Sequence, residues 1–505
     1  MSKKHIIKSA GVIGFATVIS RILGFVRDII IAKFFGTAKY AEAFVVAFRI
    51  PNMLRDLVGE GATNAAFVPV MSEYAAKKKE EFWELANVVL NILLIMLSVI
   101  TILGAVFSPV IVRLIAPGFL QDPEKFAVTV KLTRLMFPYI LLIGLTAYAM
   151  GVLNSLRHFS APAFAPCLLN AAIIICAMIW GESVAGLASG VLIGGVLQLA
   201  VQVPVLRGKG FRLFSTKRLS HPAARKIGML LVPRILGSCV YQVNIFINTV
   251  LASLSSIVGT GGVAALYYAN RIFQFPLAIF GIAIAQAALP TMSREALEEN
   301  SDKLKKTLSF SLRAINFIIV PASIGLITLA APITRVLFER GKFDSYSTDM
   351  TSQALVFYSM GLFSYAGIKI LVSCFYSLKD TLTPVKVASL SLAVNIGLNV
   401  MLMFPMKLNG LALSTSVSGA FNFFLLFFIL RKKIGCLDGY RILVSFFKVC
   451  LASLAMAGVA YFCMFRMGMN LFVVITAAIF SYILAALVFD VGEMREFVSW
   501  ISKKN

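Results

Sequence analysis

The chain has 505 residues, of which 59% are hydrophobic and only 14% are charged, and its formal net charge is +24. A soluble protein of this length carries far more charged residues, so the composition excludes a soluble multidomain protein and predicts a polytopic membrane protein. Nucleic acid is excluded as a partner, because Lys and Arg occur in short loops between apolar runs, as they do in membrane proteins generally.

Fourteen apolar segments follow one another along the chain, and about 20 such residues cross the roughly 30 Å hydrocarbon core of a bilayer. The basic segment before the first of them resembles the start of a signal peptide, but no small-residue cleavage site follows, so we expect an uncleaved first span. An even number of spans places both termini on the same side of the membrane. The segments predict an all-α fold with transmembrane helices at 9–35, 39–58, 86–115, 128–154, 161–180, 184–206, 227–256, 262–290, 307–336, 350–377, 383–404, 409–430, 441–464 and 470–490.

The charges of the loops predict the orientation of the chain. The loops on the side of the termini contain 27 Lys and Arg residues, whereas the opposite loops contain 8. Because cytoplasmic loops are enriched in Lys and Arg, we predict that both termini and the most basic loop, residues 207–226, are cytoplasmic. The same loop is a candidate for contact with anionic membrane lipids.

An internal repeat relates the two halves of the chain. Five matches occur in the same order at offsets of 213 to 224 residues. The matched motifs are RILG at 21–24 and 234–237, AFRI at 47–50 and ANRI at 269–272, VPVMS at 68–72 and LPTMS at 289–293, SLRHFSAP at 155–162 and SLKDTLTP at 377–384, and GLA followed by LR within 186–207 and 410–431.

Spans 1–6 therefore recur as spans 7–12, and because six is even, both copies enter the membrane from the same side. A parallel repeat of this kind is typical of two-lobed transporters that work by alternating access. We predict an N-terminal lobe at 1–206, a basic cytoplasmic loop at 207–226, a C-terminal lobe at 227–431, and spans 13 and 14 with the C-terminal tail at 432–505.

The stretch SRILGFVRD, residues 20–28, places three charged residues in the first apolar span. A charge at the centre of a bilayer costs about 2.5–3.5 kcal/mol on insertion scales, so such residues usually face a cavity or a partner. Arg21 and Asp28 lie within about 20° of each other around a helix, and Arg27 lies about 100° from Asp28. We predict all three as substrate-binding residues. The alternative is a structural Arg–Asp pair that holds the first span to a neighbouring helix.

The second span carries further charges in the run AEAFVVAFRIPNMLRDLVGEGATNAAF. Pro51 removes a backbone N–H and kinks the helix. Interrupted helices at membrane depth are tolerated where they line a cavity. Glu42, Arg49 and Arg55 are therefore further candidates for a substrate site.

The repeat adds one candidate from the second half of the chain. Arg271 is the counterpart of Arg49, and spans 7 and 8 contain no acidic residue. Guanidinium groups bind phosphate oxygens in a bidentate manner. We therefore expect a water-filled anion site formed by four arginines, namely Arg21, Arg27, Arg55 and Arg271.

No motif of catalysis or metal binding accompanies these charges. The seven cysteines are scattered without a CxxC pair, and the three histidines lie in the N-terminal tail and in loops. Neither a GxxxxGK[ST] motif nor a GxSxG motif is present. We predict a protein that is not an enzyme and that holds neither a metal nor a cofactor.

Six motifs carry a family resemblance: SRILGFVRD, EAFVVAFRIPNMLRDLVGEGATNAAFVPV, PYILLIGLTAYAMGVLNSLRHFSAPAFAPCLLN, YYANRIFQFP, GKFD and TPVKVA. They resemble the MurJ/MviN family, the lipid II flippases of bacterial peptidoglycan synthesis, through essentially the whole chain. The resemblance implies the fold of the multidrug/oligosaccharidyl-lipid/polysaccharide exporter superfamily. It also implies a central cationic cavity with arginines at positions 21, 27, 55 and 271, and a hydrophobic groove of spans 13 and 14 for a polyprenyl tail. Two positions depart from the family pattern, since Glu42 replaces a frequent Asp and Asn270 replaces an acid.

The resemblance implies a flippase that moves lipid II, an undecaprenyl-pyrophosphate-linked disaccharide-pentapeptide, from the cytoplasmic to the periplasmic leaflet of the bacterial inner membrane. Cell-wall synthesis proteins are a further candidate class of partner. One alternative is an exporter of another lipid-linked oligosaccharide, or a drug/cation antiporter of the same superfamily. Another is a membrane-embedded glycosyltransferase, which requires a catalytic acid or base in a sizeable extracytoplasmic loop; the longest candidate, FERGKFDSYSTD, is short. A third, a non-transporting scaffold, leaves the arginines unexplained.

Overall fold

The computed structural model describes residues 3–55, 67–77, 79–213, 218–298, 301–435 and 437–495, which form helices joined by short loops, with no β-strand among them. The chain divides into two compact units. Unit 1 consists of Met1–Ser256 with Arg340–Phe343, and unit 2 consists of Ile257–Glu339 with Asp344–Asn505.

The helices of unit 1 are α1 (Lys3–Phe35), α2 (Lys39–Arg55), α3 (Val68–Lys77), α4 (Lys79–Val106), α5 (Ser108–Ile115), α6 (Pro123–Met136), α7 (Pro138–Ser155), α8 (Ser160–Trp180), α9 (Val184–Ala200), α10 (Val203–Gly208) and α11 (Pro222–Ala252). The short α12 (Ser255–Val258) contains the boundary between the two units along the chain. The helices of unit 2 are α13 (Gly262–Pro276), α14 (Ile282–Leu297), α15 (Ser301–Thr328), α16 (Ala330–Phe338), α17 (Ser345–Met360), α18 (Leu362–Ser377), α19 (Leu382–Ile434), α20 (Gly439–Tyr461) and α21 (Leu471–Val488). Several helices begin at a proline, which lacks the N–H that a first turn leaves unbonded.

In the described part of the chain, each predicted span lies in one helix, in consecutive helices or in one part of a longer helix, and residues 56–58 of the second span lie outside the described residues. Within the described residues, nine helical segments are long and apolar enough to cross a membrane, or ten when α17 and α18, bent by 44°, count as one span. α19 is one of the nine but contains two predicted spans, because the backbone at Lys407 (φ 52°, ψ −130°) breaks the helix. The nine do not include α1, which carries Arg21, Arg27 and Asp28, or α2, which has only 17 residues in the described part of the chain. In α11, the apolar helical stretch is Cys239–Ala252, which is shorter than a full span. The predicted fold class, an all-α polytopic membrane protein with about fourteen transmembrane helices, is confirmed.

The sequence repeat has a counterpart in local geometry. The turn after α7 contains Arg157 at φ 61°, and the turn after α18, 222 residues later, contains Lys379 at φ 60°. In both turns the N–H of this residue donates to the carbonyl three residues earlier at 3.0 Å. Asp122 and Asp344, also 222 residues apart, accept a backbone N–H at the first turn of α6 and α17. The two copies of the repeated helix order therefore share the geometry of this turn and of this helix cap.

The repeat and the packing divide the chain at different places. The sequence repeat places span 7 at the start of the second copy, whereas α11, the corresponding helix, lies in unit 1 and contacts α4 and α5 there. The lobe boundaries drawn from the repeat therefore describe a relation between sequences. They remain predictions about how the chain is organised for function.

Each unit has an apolar core of its own. In unit 1, α3, α4, α7 and α10 enclose a cluster that includes Met71, Leu85 and Val152. In unit 2, the helices after the repeat, α20 and α21, pack on α15 and α16 through residues such as Val449 and Val474, both 0% exposed. The last two helices are therefore integral to unit 2.

Candidate functional site

The charged stretch of α1 forms a buried polar cluster with α8. Arg27 donates from Nε and Nη2 to Oδ1 of Asp28, at 3.0 and 2.8 Å, and from Nη1 to Oδ1 of Asn170 at 3.0 Å. Asn170 in turn donates from Nδ2 to the carbonyl of Ser20 at 3.1 Å. Arg27 is 5% exposed and Asp28 1% exposed. The cluster ties α1 to α8 through Asn170.

Local sequence explains why this cluster forms. Gly24 presents no side chain to α8, and a Cβ there would lie 3.6 Å from the amide nitrogen of Asn170. The Arg27 guanidinium also lies 5.9 Å from the ring centroid of Phe48 on α2, within the range of a cation–π contact. An ion pair withdrawn from water is tolerated when hydrogen bonds satisfy its remaining groups. Asn170 supplies one of these bonds.

Arg21 has a different environment from its neighbours on α1. It is exposed, and no hydrogen bond or ion pair of its side chain occurs in the described part of the chain. Helix geometry alone places Arg21 within about 20° of Asp28 and Arg27 about 100° from Asp28, which does not predict their different burial. The structure divides them into an exposed arginine and a buried pair.

Glu42 and Arg49, the candidates in the first part of α2, make contacts inside unit 1. Glu42 is 1% exposed and forms an ion pair with Lys125 of α6, whose ammonium lies 3.9 Å from the ring centroid of Phe119. Arg49 is half-buried and donates from Nη1 to the hydroxyl of Thr249 on α11. These contacts connect α2 to two neighbouring helices.

Arg55 and Arg271 are both half-buried. Arg55 is the last residue of α2, and the chain that follows it, up to residue 66, lies outside the described residues. In unit 2, Arg271 donates from Nη2 to the hydroxyl of Tyr267 at 2.9 Å, and its guanidinium lies 5.0 Å from the centroid of the same ring. Tyr267, one turn before Arg271, fixes the orientation of the guanidinium.

Sequence reasoning missed two partners of the predicted residues. Asn170 is a single amide in the apolar α8, and Lys125 lies near the start of α6. A polar residue inside an apolar span is itself a signal of a buried partner, which was available for Asn170. No signal in the sequence connects Lys125 to Glu42, because 83 residues separate them.

Outside the spans, Asp380 and Asp122 are two of the acids whose pKa values are lowered. The Lys433 ammonium hydrogen-bonds Asp380 at 2.7 Å and holds the pKa of that carboxyl at about 2. The backbone N–H of Lys125 lowers the pKa of Asp122 in the cap of α6. Both acids stabilise turns, and the described residues contain no group of three or more His, Cys, Asp or Glu side chains that suits a metal ion.

An all-α membrane protein with a repeated helix order and arginines set in its apolar helices is a transporter in architecture. Two solved transporters show the same fold. One, titled a lipid II flippase MurJ in an inward closed conformation, superposes with a TM-score of 0.81 at 27% identity and covers 96% of this chain and 99% of its own. The other is an inward-facing multidrug resistance MATE family transporter of the MOP superfamily, with a TM-score of 0.70 at 16% identity, covering 83% and 96%.

The family itself follows from sequence similarity. The family model for lipid II flippase MurJ matches residues 31–483. A probable lipid II flippase MurJ of Buchnera aphidicola is 37% identical over 81% of both chains, and the lipid II flippase MurJ of Burkholderia cenocepacia is 36% identical over 88% of both. The chain belongs to the lipid II flippase MurJ family. It is therefore a multi-pass transporter of the bacterial inner membrane and not an enzyme, and the predicted family resemblance is confirmed.

Proposed function

We propose that this chain translocates lipid II from the cytoplasmic to the periplasmic leaflet by alternating access. The observation that carries this proposal is the similarity to lipid II flippases over residues 31–483. The disaccharide-pentapeptide headgroup is too polar to cross hydrocarbon by itself, because each polar group that loses its hydrogen bonds to water costs several kcal/mol, about 2–7 for an amide or hydroxyl. A protein that encloses the headgroup removes this barrier while the polyprenyl tail stays in lipid.

In this proposal, three arginines bind the pyrophosphate and the peptide carboxylates. Arg21 is exposed, and Arg55 and Arg271 are half-buried, so their guanidinium groups are more accessible than that of Arg27, the fourth arginine of the predicted anion site. A pyrophosphate that leaves water requires charge-assisted hydrogen bonds, which a planar guanidinium supplies in pairs. The half-buried position of two of these arginines supports the assignment, since electrostatic attraction is stronger where water is reduced.

The remaining predicted site residues have a supporting role in this proposal. Arg27, Asp28, Glu42 and Arg49 all contact other residues of unit 1. We assign to them the positioning of α1 and α2, which carry Arg21 and Arg55. A shift of α1 relative to α2 changes the distance between Arg21 and Arg55. These contacts therefore affect the affinity for the substrate as well as the stability of unit 1.

The topology and the remaining partners belong to the same proposal. Both termini are cytoplasmic, and the 27 Lys and Arg residues of the loops on that side support this orientation. The membrane potential biases the transport cycle, because moving one charge across 100 mV is worth about 2.3 kcal/mol.

The last two helices hold the polyprenyl tail. Cell-wall synthesis proteins are the partners that deliver or receive the substrate.

Depletion of the protein in its native host tests this function. We expect lipid II to accumulate in the inner leaflet, measured by its accessibility to an impermeant probe in spheroplasts. The reconstituted chain should move lipid II across vesicle bilayers. If another lipid-linked oligosaccharide accumulates while lipid II remains accessible outside, the chain is an exporter of that oligosaccharide. If neither accumulates, the flippase proposal is wrong.

A further inference from the structure

An open cavity of about 570 Å³ lies in unit 1 between α5 and α6. Its floor is apolar, with Pro109 from α5 and Phe126 and Val130 from α6. Lys131 and Arg134 also line it. The cavity combines an apolar floor with two cationic side chains, and it is separate from the arginines of α1 and α2.

The two cations share one face of α6. Residues three positions apart on a helix are neighbours on its surface, so Lys131 and Arg134 project in similar directions. Arg134 donates from Nε to the hydroxyl of the buried Ser108 at 3.0 Å, which holds its guanidinium at the cavity. Neither side chain forms an ion pair within the described residues.

The other lysines of this region are neutralised by acids. Lys125 pairs with Glu42, and Lys39 contacts both Asp122 and Glu124, at 3.2 and 2.5 Å. Lys131 and Arg134 thus differ from their neighbours in lacking a described carboxylate partner. Positive charge at an apolar cavity in a membrane protein is complementary to an amphiphile with an anionic headgroup.

The adjacent helix α5 has the character of an interfacial helix. It is eight residues long, it buries Val112 and Ile115, and it exposes Val110, Arg113 and Leu114. Short amphipathic helices with exposed apolar and cationic residues lie at the boundary of headgroups and acyl chains. Long cationic side chains near a helix end extend toward the same boundary. Both features are typical of the level in a bilayer where phospholipid phosphates are found.

We propose that this cavity binds one acidic phospholipid of the surrounding membrane. Arg134 and Lys131 bind the headgroup phosphate, and the first acyl carbons lie against Phe126 and Val130. A zwitterionic phospholipid carries no net charge to complement the two cations. An acidic phospholipid such as phosphatidylglycerol fits both the charge and the apolar floor.

Native mass spectrometry of the full chain, released from vesicles of phosphatidylglycerol and phosphatidylcholine, tests the proposal. The double variant Lys131→Gln with Arg134→Gln should lower the affinity for phosphatidylglycerol about 30-fold, because each cation near an anionic surface is worth about fivefold. Ala127→Trp fills the cavity without removing charge and should also abolish the bound lipid. Arg113→Gln, an exposed cation of α5 that does not line the cavity, is the matched control and should leave binding unchanged.

Two results would overturn the proposal. If Ala127→Trp retains the lipid while the charge variants lose it, the attraction is electrostatic and has no defined site. If phosphatidylcholine binds as tightly as phosphatidylglycerol, or if Arg113→Gln has the same effect as the double variant, the cations of the cavity do not select the lipid. Since Ala127→Trp keeps the Arg134–Ser108 bond, it remains informative even where the double variant fails to fold.

Discussion

At the scale of single residues, burial separates arginines that look alike in the sequence. Arg21 and Arg27 occupy the same apolar helix, yet one is exposed and the other is 5% exposed and bonded to Asp28 and Asn170. Removing one partner of a buried ion pair leaves the other charge uncompensated and costs about 3–5 kcal/mol. An exposed arginine has no such effect on stability. The two positions therefore have different mutational signatures.

Arg21→Ala should abolish transport at normal membrane abundance, and Arg21→Lys should restore only part of the activity, because an ammonium lacks the planar fork of a guanidinium. Arg27→Ala and Asp28→Ala should both lower abundance, and the double variant should recover part of it. Quantitative immunoblotting together with complementation of a depletion strain measures both properties. Normal abundance of Arg27→Ala with loss of transport would instead assign Arg27 to direct substrate contact.

At the scale of helices, the backbone at the end of α1 lies close to the segment Arg340–Phe343. This short segment belongs to unit 1 although it comes from the later part of the chain. The N–H of Lys342 donates to the carbonyl of Lys33 at 2.9 Å, and the Lys342 ammonium lies 2.5 Å from a carboxylate oxygen of Glu182. Gly36 and Gly341 are in the left-handed region, at φ 59° and 62°. A Cβ on either one would collide with a backbone carbonyl of the opposite segment.

Gly341→Ala should reduce the thermal stability of the purified protein more than Gly181→Ala does. Both alanines adopt a left-handed conformation, which costs about 1–2 kcal/mol, but Gly181 (φ 55°) has nothing within 4 Å of its Cβ position. The difference between the two variants therefore isolates the backbone contact with Lys33. Equal melting temperatures would show that this contact adds nothing to stability.

The residues of α21 differ in burial, and only an exposed residue can be substituted to test a tail-binding surface. The apolar composition of span 14 makes Val474 a reasonable groove residue, but Val474 is 0% exposed in the core of unit 2. A charge there is buried without a partner and destabilises the unit. Phe480, 69% exposed on the same helix, is the better probe for a tail-binding surface.

Val474→Asp should remove folded protein from the membrane, whereas Phe480→Ala should keep normal abundance and slow lipid II movement. Val473→Ala, seven residues before Phe480 and therefore on the same exposed face of α21, is a second probe of that face and should also slow lipid II movement. Abundance in the membrane and flipping in vesicles are the two measurements. Unchanged flipping in both alanine variants would argue against a tail-binding role for the exposed face of α21.

At the scale of the whole chain, transport by alternating access requires a defined orientation of the protein in the membrane. Single cysteines at positions 210 and 345, in a background without the seven native cysteines, should react with an impermeant thiol reagent from opposite sides. The excess of Lys and Arg in the loops on the side of the termini predicts that position 210 is cytoplasmic. Labelling of both positions from outside intact cells would contradict the fourteen-span topology.

Sequence alone was enough for the class of the protein, the order of its apolar segments and the internal repeat. These properties depend on local composition, because hydrocarbon accepts only long apolar helices with internally bonded backbones. The motifs also identified the family, as the match over residues 31–483 confirms. The sequence further identified the charged residues that require an explanation.

The pairing of these charges, in contrast, became visible only in the folded chain. Arg27 meets Asn170 across 143 residues, and Glu42 meets Lys125 across 83 residues. Helical periodicity predicts which face a residue occupies but not which helix packs against that face. The packing of α11 in unit 1 depends in the same way on contacts between distant parts of the chain. Such contacts are properties of the folded chain, since the energy of a buried charge depends on what packing brings within hydrogen-bond distance.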